Sequence, residues 1–478
     1  MLAAATTNER RQATGWLALA VGSLLLAGSF ALLLVVARVP PFSFWFTDAA
    51  FFRRCLVVHV DLALVVWFYA FVAALFSLLR ARGTSPGPRA AVGFGAAVLG
   101  VLALSSALLV PGVKPVLSNY VPALDHPLFL AGLALFFFGL TLTFADARLM
   151  PWREHPGAAA MVPDAARPGL RTAALAVLFA VLTFAASASA MPEGLPAEGR
   201  YELLFWGGGH VLQVASVAAM LAVWVMLLAP ELPEPPVSRG QAVMLFGVLL
   251  VPAAAAPVLA LQGPQHGWVH GAFTHGMRWC IFPPVLAFLA LCARGLWRAR
   301  RAGRLGPLTP RRLAFFASAA LTVAGFVLGA LISGANTTVP AHYHASIGAV
   351  TAAFMGVTAP LLAELGCPSP SPRLTRAMRW QPAVFGAGQL VFACGFALAG
   401  AQGMARKTYG AEQHIRTAAE WVGLTVMGLG GLVAMAGGLV FLVYAVRAFG
   451  PLRRLAQLAA PPRRRPWPKP VENTPFRP

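Results

Sequence analysis

The sequence predicts an all-α integral membrane protein, a bundle of twelve transmembrane helices. Of its 478 residues 58% are hydrophobic and only 11% are charged, with a mean hydropathy of +0.70. That is more apolar surface than a water-soluble core could hide. The apolar residues also fall into runs close to the about 20 residues that cross a hydrocarbon core of about 30 Å. The runs are 15–37, 55–79, 91–110, 127–147, 170–190, 204–229, 241–262, 277–293, 313–334, 341–364, 381–402 and 418–446, the eighth being the shortest.

The loops supply the third observation. A net charge of +21 could suggest nucleic acid or an acidic lipid surface, so its location matters. With the N-terminus in the cytoplasm, about three quarters of the 37 Lys and Arg residues fall on the inner side. This is the positive-inside bias, which supports the orientation and the even number of spans and makes a nucleic-acid partner unnecessary. A bacterial inner membrane, with both termini cytoplasmic, is the expected setting.

The first 37 residues do not read as a secretory signal. The apolar stretch is too long, and Arg38 follows it without a small-residue cleavage site. The longest connections, 148–169 and 294–312, are Pro- and Arg-rich and lie inside. Nothing of domain size interrupts the spans, so residues 1–460 are expected to form one membrane domain. The basic, Pro-rich tail 461–478 is expected to be disordered near anionic headgroups, making membrane lipid a partner. Cys55, Cys280, Cys292, Cys367 and Cys394 stand singly, with neither a CxxCH nor a paired metal spacing.

The histidines carry the chemistry. They stand at 59, 126, 155, 210, 266, 270, 275, 342, 344 and 414. Spans 2, 6 and 10 enter from outside, which puts His59, His210, His342 and His344 near the outer face, and His266, His270 and His275 follow the outer end of span 7. Only His155 is cytoplasmic. Any one of these histidines is accounted for by an ordinary hydrogen-bonded role. Ionisable groups in membranes are costly, however, and a depth shared across several helices points to a shared cofactor.

Spacing sharpens this. His342 and His344 are two residues apart, so on a helix their side chains diverge by about 200° and serve two different sites. His266 and His270, four apart, share a face if that segment is helical, which suits one metal.

Together these segments resemble the catalytic subunit of the haem–copper oxidase superfamily, which spans cytochrome c oxidase subunit I and the nitric oxide reductase large subunit. "TTVPAHYHASIGAVTAAFMG" (337–356) is similar to the tenth helix of that family. The resemblance implies His342 as ligand of a high-spin haem and His344 as ligand of a low-spin haem. "VVHVDLALVVWFYAF" (57–71) resembles the second helix, implying His59 as the other low-spin ligand. "FWGGGHVLQV" (205–214) resembles the sixth, implying that His210 binds a non-haem metal, copper rather than iron being expected. "GMARKTY" (403–409) resembles the loop whose basic pair, here Arg406 and Lys407, meets haem propionates. The implied cofactors are two haems, one low-spin and bis-histidine and one high-spin, and one non-haem metal.

The chain also departs from the oxygen-reducing pattern. "QHGWVHGAFTHGMRW" (265–279) has no adjacent histidine pair. His266 and His270 are both expected to bind the non-haem metal, with His275 in reserve. The tyrosines stand at 69, 120, 201, 343, 409 and 444, none of them in spans 6 or 7, and Val214 follows His210 by four residues. No acidic residue stands between Asp61 and Asp125, whereas Glu193, Glu198 and Glu202 lie at the outer start of span 6.

These departures favour nitric oxide reduction over dioxygen reduction, with His342 and His210 as the catalytic pair and the outer glutamates as proton donors. The alternatives are a terminal dioxygen reductase, a non-catalytic haem membrane protein and, from another class, a secondary transporter. A transporter would carry ionisable groups and broken helices at mid-membrane. Electrons are expected from a partner subunit carrying cytochrome c or copper, or from a quinol.

Overall fold

The computed structural model describes residues 2–40, 42–45, 48–80, 87–146, 161–367, 369–408 and 410–450. The tail 461–478, His155 and Tyr409 lie outside them. In chain order the helices are α1 (Leu2–Val36), α2 (Ala49–Val60), a π turn (Asp61–Val66), α3 (Trp67–Ser77) and α4 (Pro88–Ser106). A hairpin of β1 (Lys114–Val116) and β2 (Ala123–Asp125) follows, then α5 (Pro127–Phe144), α6 (Arg167–Ser189), α7 (Ala197–Leu228) and α8 (Arg239–Leu261). The chain continues through α9 (Gly267–Cys280), α10 (Phe282–Arg301), α11 (Pro310–Ala330), α12 (Thr338–Glu364), α13 (Pro372–Ala401) and α14 (Ala418–Phe449).

Among the described residues twelve helical segments are long and apolar enough to cross a membrane, so the chain is an integral membrane protein with the expected fold class. α2, the π turn and α3 run on as the second span, and α9 with α10 forms the eighth, Gly267–Arg301. That span is much longer than the run 277–293. Its first half carries His270, Thr274, His275 and three glycines, which hold local hydropathy down without breaking the helix; the break comes at Ile281, before Pro283 and Pro284.

Burial grades from the centre outward. The apolar window of α7 is 89% buried, against 28% for α1. Lipid does not drive helices together as water does, so small residues and a few polar contacts do. α13 and α14 approach through Gly388, Gly395, Gly423, Gly430 and Gly437, each of which a Cβ would bring into collision with backbone of the other helix. The Trp224 indole donates to Ser318 Oγ at 2.8 Å, and Ser318 donates to the Ala349 carbonyl at 2.7 Å, joining α7, α11 and α12. Tyr69 donates to the Leu212 carbonyl at 2.8 Å, joining α3 to α7. Ion pairs close the far end of the bundle, Arg80 with Asp146 at 2.8 Å and Arg312 with Glu231 at 3.2 Å. His59, His210, His342 and His344 lie toward the other end.

Candidate haem and metal site

His342 and His344 leave α12 toward different neighbours. His342 Nδ1 meets the Gly325 carbonyl of α11 at 2.7 Å, and Gly329 leaves room for its ring. His344 packs instead on Phe392 and Phe396 of α13, with ring centroids 4.4 and 5.9 Å away. His59, on α2, is close enough to interact electrostatically with His344, and its Nδ1 meets the Ala27 carbonyl at 2.9 Å.

A carbonyl can only accept, so the hydrogen of His59 and of His342 sits on Nδ1. Each ring therefore presents the lone pair of Nε2. A histidine that gives its other N–H to a backbone carbonyl is fixed in tautomer and orientation for an axial bond. On this observation His59 and His342 fit haem, and His344 adds a ring on the opposite side of α12, packed on Phe392 and Phe396.

The third histidine sits differently. His210 Nδ1 donates to the Trp206 carbonyl one turn back on α7, at 2.8 Å, and its Nε2 accepts from Tyr120 Oη at 2.9 Å. Trp206 stacks on His270 with centroids 4.6 Å apart and planes at 14°, and His270 Nε2 donates to the Pro264 carbonyl at 2.7 Å. His266 is the exposed N-cap of α9 and stands outside the helix, so it shares no helical face with His270. His275 is exposed as well. Among the described residues no three His, Cys, Asp or Glu side chains are grouped to hold a metal ion. The expectation that His210, His266 and His270 share one metal is therefore not met by their placement. α9 begins only at Gly267, and Trp206 fills the space between His210 and His270.

A tyrosine reaches His210 from outside α7 and α8, which corrects the expectation of a site without one. Tyr120 lies in the loop of the β1–β2 hairpin. Tyr201 donates to Asp125 at 2.6 Å, the Asn119 backbone and side chain both donate to Glu202, and Lys407 Nζ donates to the Leu117 carbonyl. The three glycines before His210 give passage to aromatic rings: a Cβ on Gly207 would strike Phe273, one on Gly208 Phe184, and one on Gly209 Tyr120. Burial pushes the Tyr120 phenol above its ordinary range, with Tyr343 and Glu202 adding to the rise, so it stays a hydrogen donor.

Arg406 and Lys407 are carried to the start of α12 by backbone pairing. Thr337 N–H donates to the Met404 carbonyl at 2.9 Å, and Asn336 pairs with Ala405. Arg406 stands close enough to interact electrostatically with Tyr343, the residue between the two α12 histidines. Lys407 takes a left-handed φ of 66°. Burial lowers the affinity of its ammonium for a proton; neighbouring Arg406 adds to this and Glu202 opposes it. Beside His210 lies a cavity of about 190 Å³ walled by Val214, Pro252, Phe273 and Met277.

No family model matches the chain. It is 28% identical over 353 residues to an uncharacterized protein of Aquifex aeolicus, covering 73% of this chain and 84% of that one. It is 24% identical to an uncharacterized protein of Rickettsia prowazekii, covering 91% and 95%. Among solved structures it resembles a chain of a haem–copper terminal oxidase dimer determined by cryo-electron microscopy. The TM-score is 0.75 at 16% identity, over 93% of this chain and 84% of that one. The chain shares that fold.

Sequence reasoning missed Tyr120, Trp206 and Asn119. The signal available for Tyr120 was the glycine triplet, whose missing side chains imply that something large approaches α7 just before His210.

Proposed function

We propose that the chain is a membrane oxidoreductase that reduces a small diatomic molecule at a haem held by His342, with a second haem between His59 and His344. The observation that carries this is the placement of two histidines on α12 toward different neighbours, with the Nδ1 of His342 and of His59 each tied to a backbone carbonyl. Bound haem would supply a reducible iron with a position open to the substrate. The chain's residues do the remainder. Arg406 and Lys407 stand ready to neutralise haem carboxylates. Tyr120 holds a proton at Oη against His210, and the apolar lining of the cavity suits a nonpolar gas.

Tyr120 favours dioxygen as substrate, because O–O cleavage calls for a nearby donor of a proton and an electron. Nitric oxide is the second reading. It is favoured by the carboxylates of Glu193 and Glu198, exposed near the start of α7, and by Val214, which offers no proton inside the cavity. The charge bias of the loops supports a cytoplasmic N-terminus and a site toward the outer face. Electrons would come from a subunit carrying cytochrome c or copper, or from a quinol.

The test is the absorption spectrum of the reduced, purified protein with and without carbon monoxide, followed by turnover with each gas. Two haems, one of them binding carbon monoxide, and water formed from dioxygen are expected. Nitrous oxide from nitric oxide without oxygen consumption would select the second reading. Absence of haem would return the chain to the transporters, and haem without turnover to non-catalytic haem proteins.

A further inference from the structure

The glutamates at the start of α7 read from the sequence as proton donors, but the geometry gives one of them a different task. Glu202 spends both carboxylate oxygens on one residue. Oε2 accepts the Asn119 backbone N–H at 3.0 Å and Oε1 accepts from Asn119 Nδ2. Neither hydrogen bond continues toward His210. The next residue, Tyr120, reaches His210 through its own hydroxyl, and its Cβ lies against Gly209, two turns along α7 from Glu202.

We infer that Glu202 is the positioning residue that sets Tyr120 against His210, acting through Asn119, and that its charge carries no proton to the site. This rests on the reading of Tyr120 and His210 as site residues given above. The physical case has two parts. A loop backbone N–H buried without a partner is costly, so a two-point acceptor fixes both the height and the rotation of Asn119. With Asn119 fixed, the Tyr120 side chain is confined by the open surface of Gly209 on one side and the His210 ring on the other. Tyr201, bonded to Asp125 at 2.6 Å, grips the return strand in the same way. The hairpin is thus held at both its loop and its end by consecutive residues of α7.

A proton carrier and a positioning residue respond oppositely to one substitution. In Glu202→Gln the charge and the exchangeable carboxyl proton are gone, but the amide oxygen still accepts the Asn119 N–H. The amide nitrogen can donate to Asn119 Oδ1, a buried atom with no partner among the described residues, once the Asn119 amide turns over. In Glu202→Ala every one of these bonds is lost.

Two readouts decide the matter on the haem-loaded protein in detergent: amide hydrogen exchange of the 114–125 segment and turnover with dioxygen or nitric oxide. Glu202→Ala should speed exchange of that segment about tenfold or more and lower turnover by a similar factor, and Glu202→Gln should rescue both. Protected exchange with lost turnover in Glu202→Gln would make Glu202 a proton carrier and overturn the inference. Unchanged exchange in Glu202→Ala would overturn it from the other side. Exchange is measured without turnover, so an inactive wild-type protein would remove the proposed function and leave the clamp to be judged on exchange alone.

Discussion

Tyr120 gives its phenolic hydrogen to Nε2 of His210 across 2.9 Å, although 90 residues separate the two in the chain. The contact fixes the tautomer of His210, since the Nδ1 hydrogen is already donated to the Trp206 carbonyl. It also puts an oxidisable ring against His210, which lines the apolar cavity. The site is therefore assembled from a loop and a helix.

Replacing Tyr120 with Phe removes the hydroxyl and leaves a buried acceptor empty, a loss of about 1–3 kcal/mol. Dioxygen turnover should drop by about tenfold or more with haem content unchanged, read by oxygen consumption beside the absorption spectrum. A second effect has a defined sign. The phenol ionises above its ordinary 10.0 in the folded chain, so the unfolded chain loses that proton first and stability falls as pH rises past about 10. In the Phe variant this part of the alkaline loss should vanish from the unfolding curve.

Exchanging His59 for Ala, or His344 for Ala, should reduce two haems to one and remove the low-spin bands while the protein still inserts in the membrane. Haem extraction and the reduced spectrum check this. Full occupancy of both haems in His59→Ala would sink the bis-histidine assignment.

Arg406→Gln with Lys407→Gln should shift a haem potential, because a charge-assisted contact weighs the oxidised and reduced forms differently. Redox titration reads the shift. Before haem is added, the lowered proton affinity of Lys407 means that the unfolded chain binds that proton more tightly. Stability then rises with pH toward the ordinary value of 10.5, and Lys407→Gln should flatten the rise.

Gly209→Ala is a sharp test of the aromatic passage beside α7. In an exposed helix interior this exchange stabilises by about 1 kcal/mol. Here the new methyl would collide with Tyr120 Cβ. A lower thermal midpoint and slower turnover are expected, whereas a stabilised, fully active variant would show that Tyr120 does not dock there.

The bundle was legible because lipid imposes long apolar runs on a chain, and those runs are readable one by one. The helical positions of His59, His342 and His344, and the divergence of the last two, were legible for the same reason: a helix converts spacing into direction. The eighth span was underread because glycine, histidine and threonine dilute hydropathy over Gly267–Cys280, and that error carried His266 onto a helical face it does not occupy. Tyr120 was out of reach of any periodicity. Its position depends on hairpin pairing and on contacts of Asn119 and Asp125 with α7, all of them distant in sequence.

The π turn at Asp61–Val66 has a mechanical meaning for the second span. Its lower half is locked in rotation by Tyr69, which donates to Leu212, and its upper half by His59, tied to Ala27. A residue in an α-helix turns the chain by about 100°. The one extra residue that a π turn accommodates thus works as a rotational shim, letting both locks close at once. Deleting a single residue from the turn would swing the His59 ring by about a quarter of a revolution, away from His344, with every apolar contact of α3 left in place.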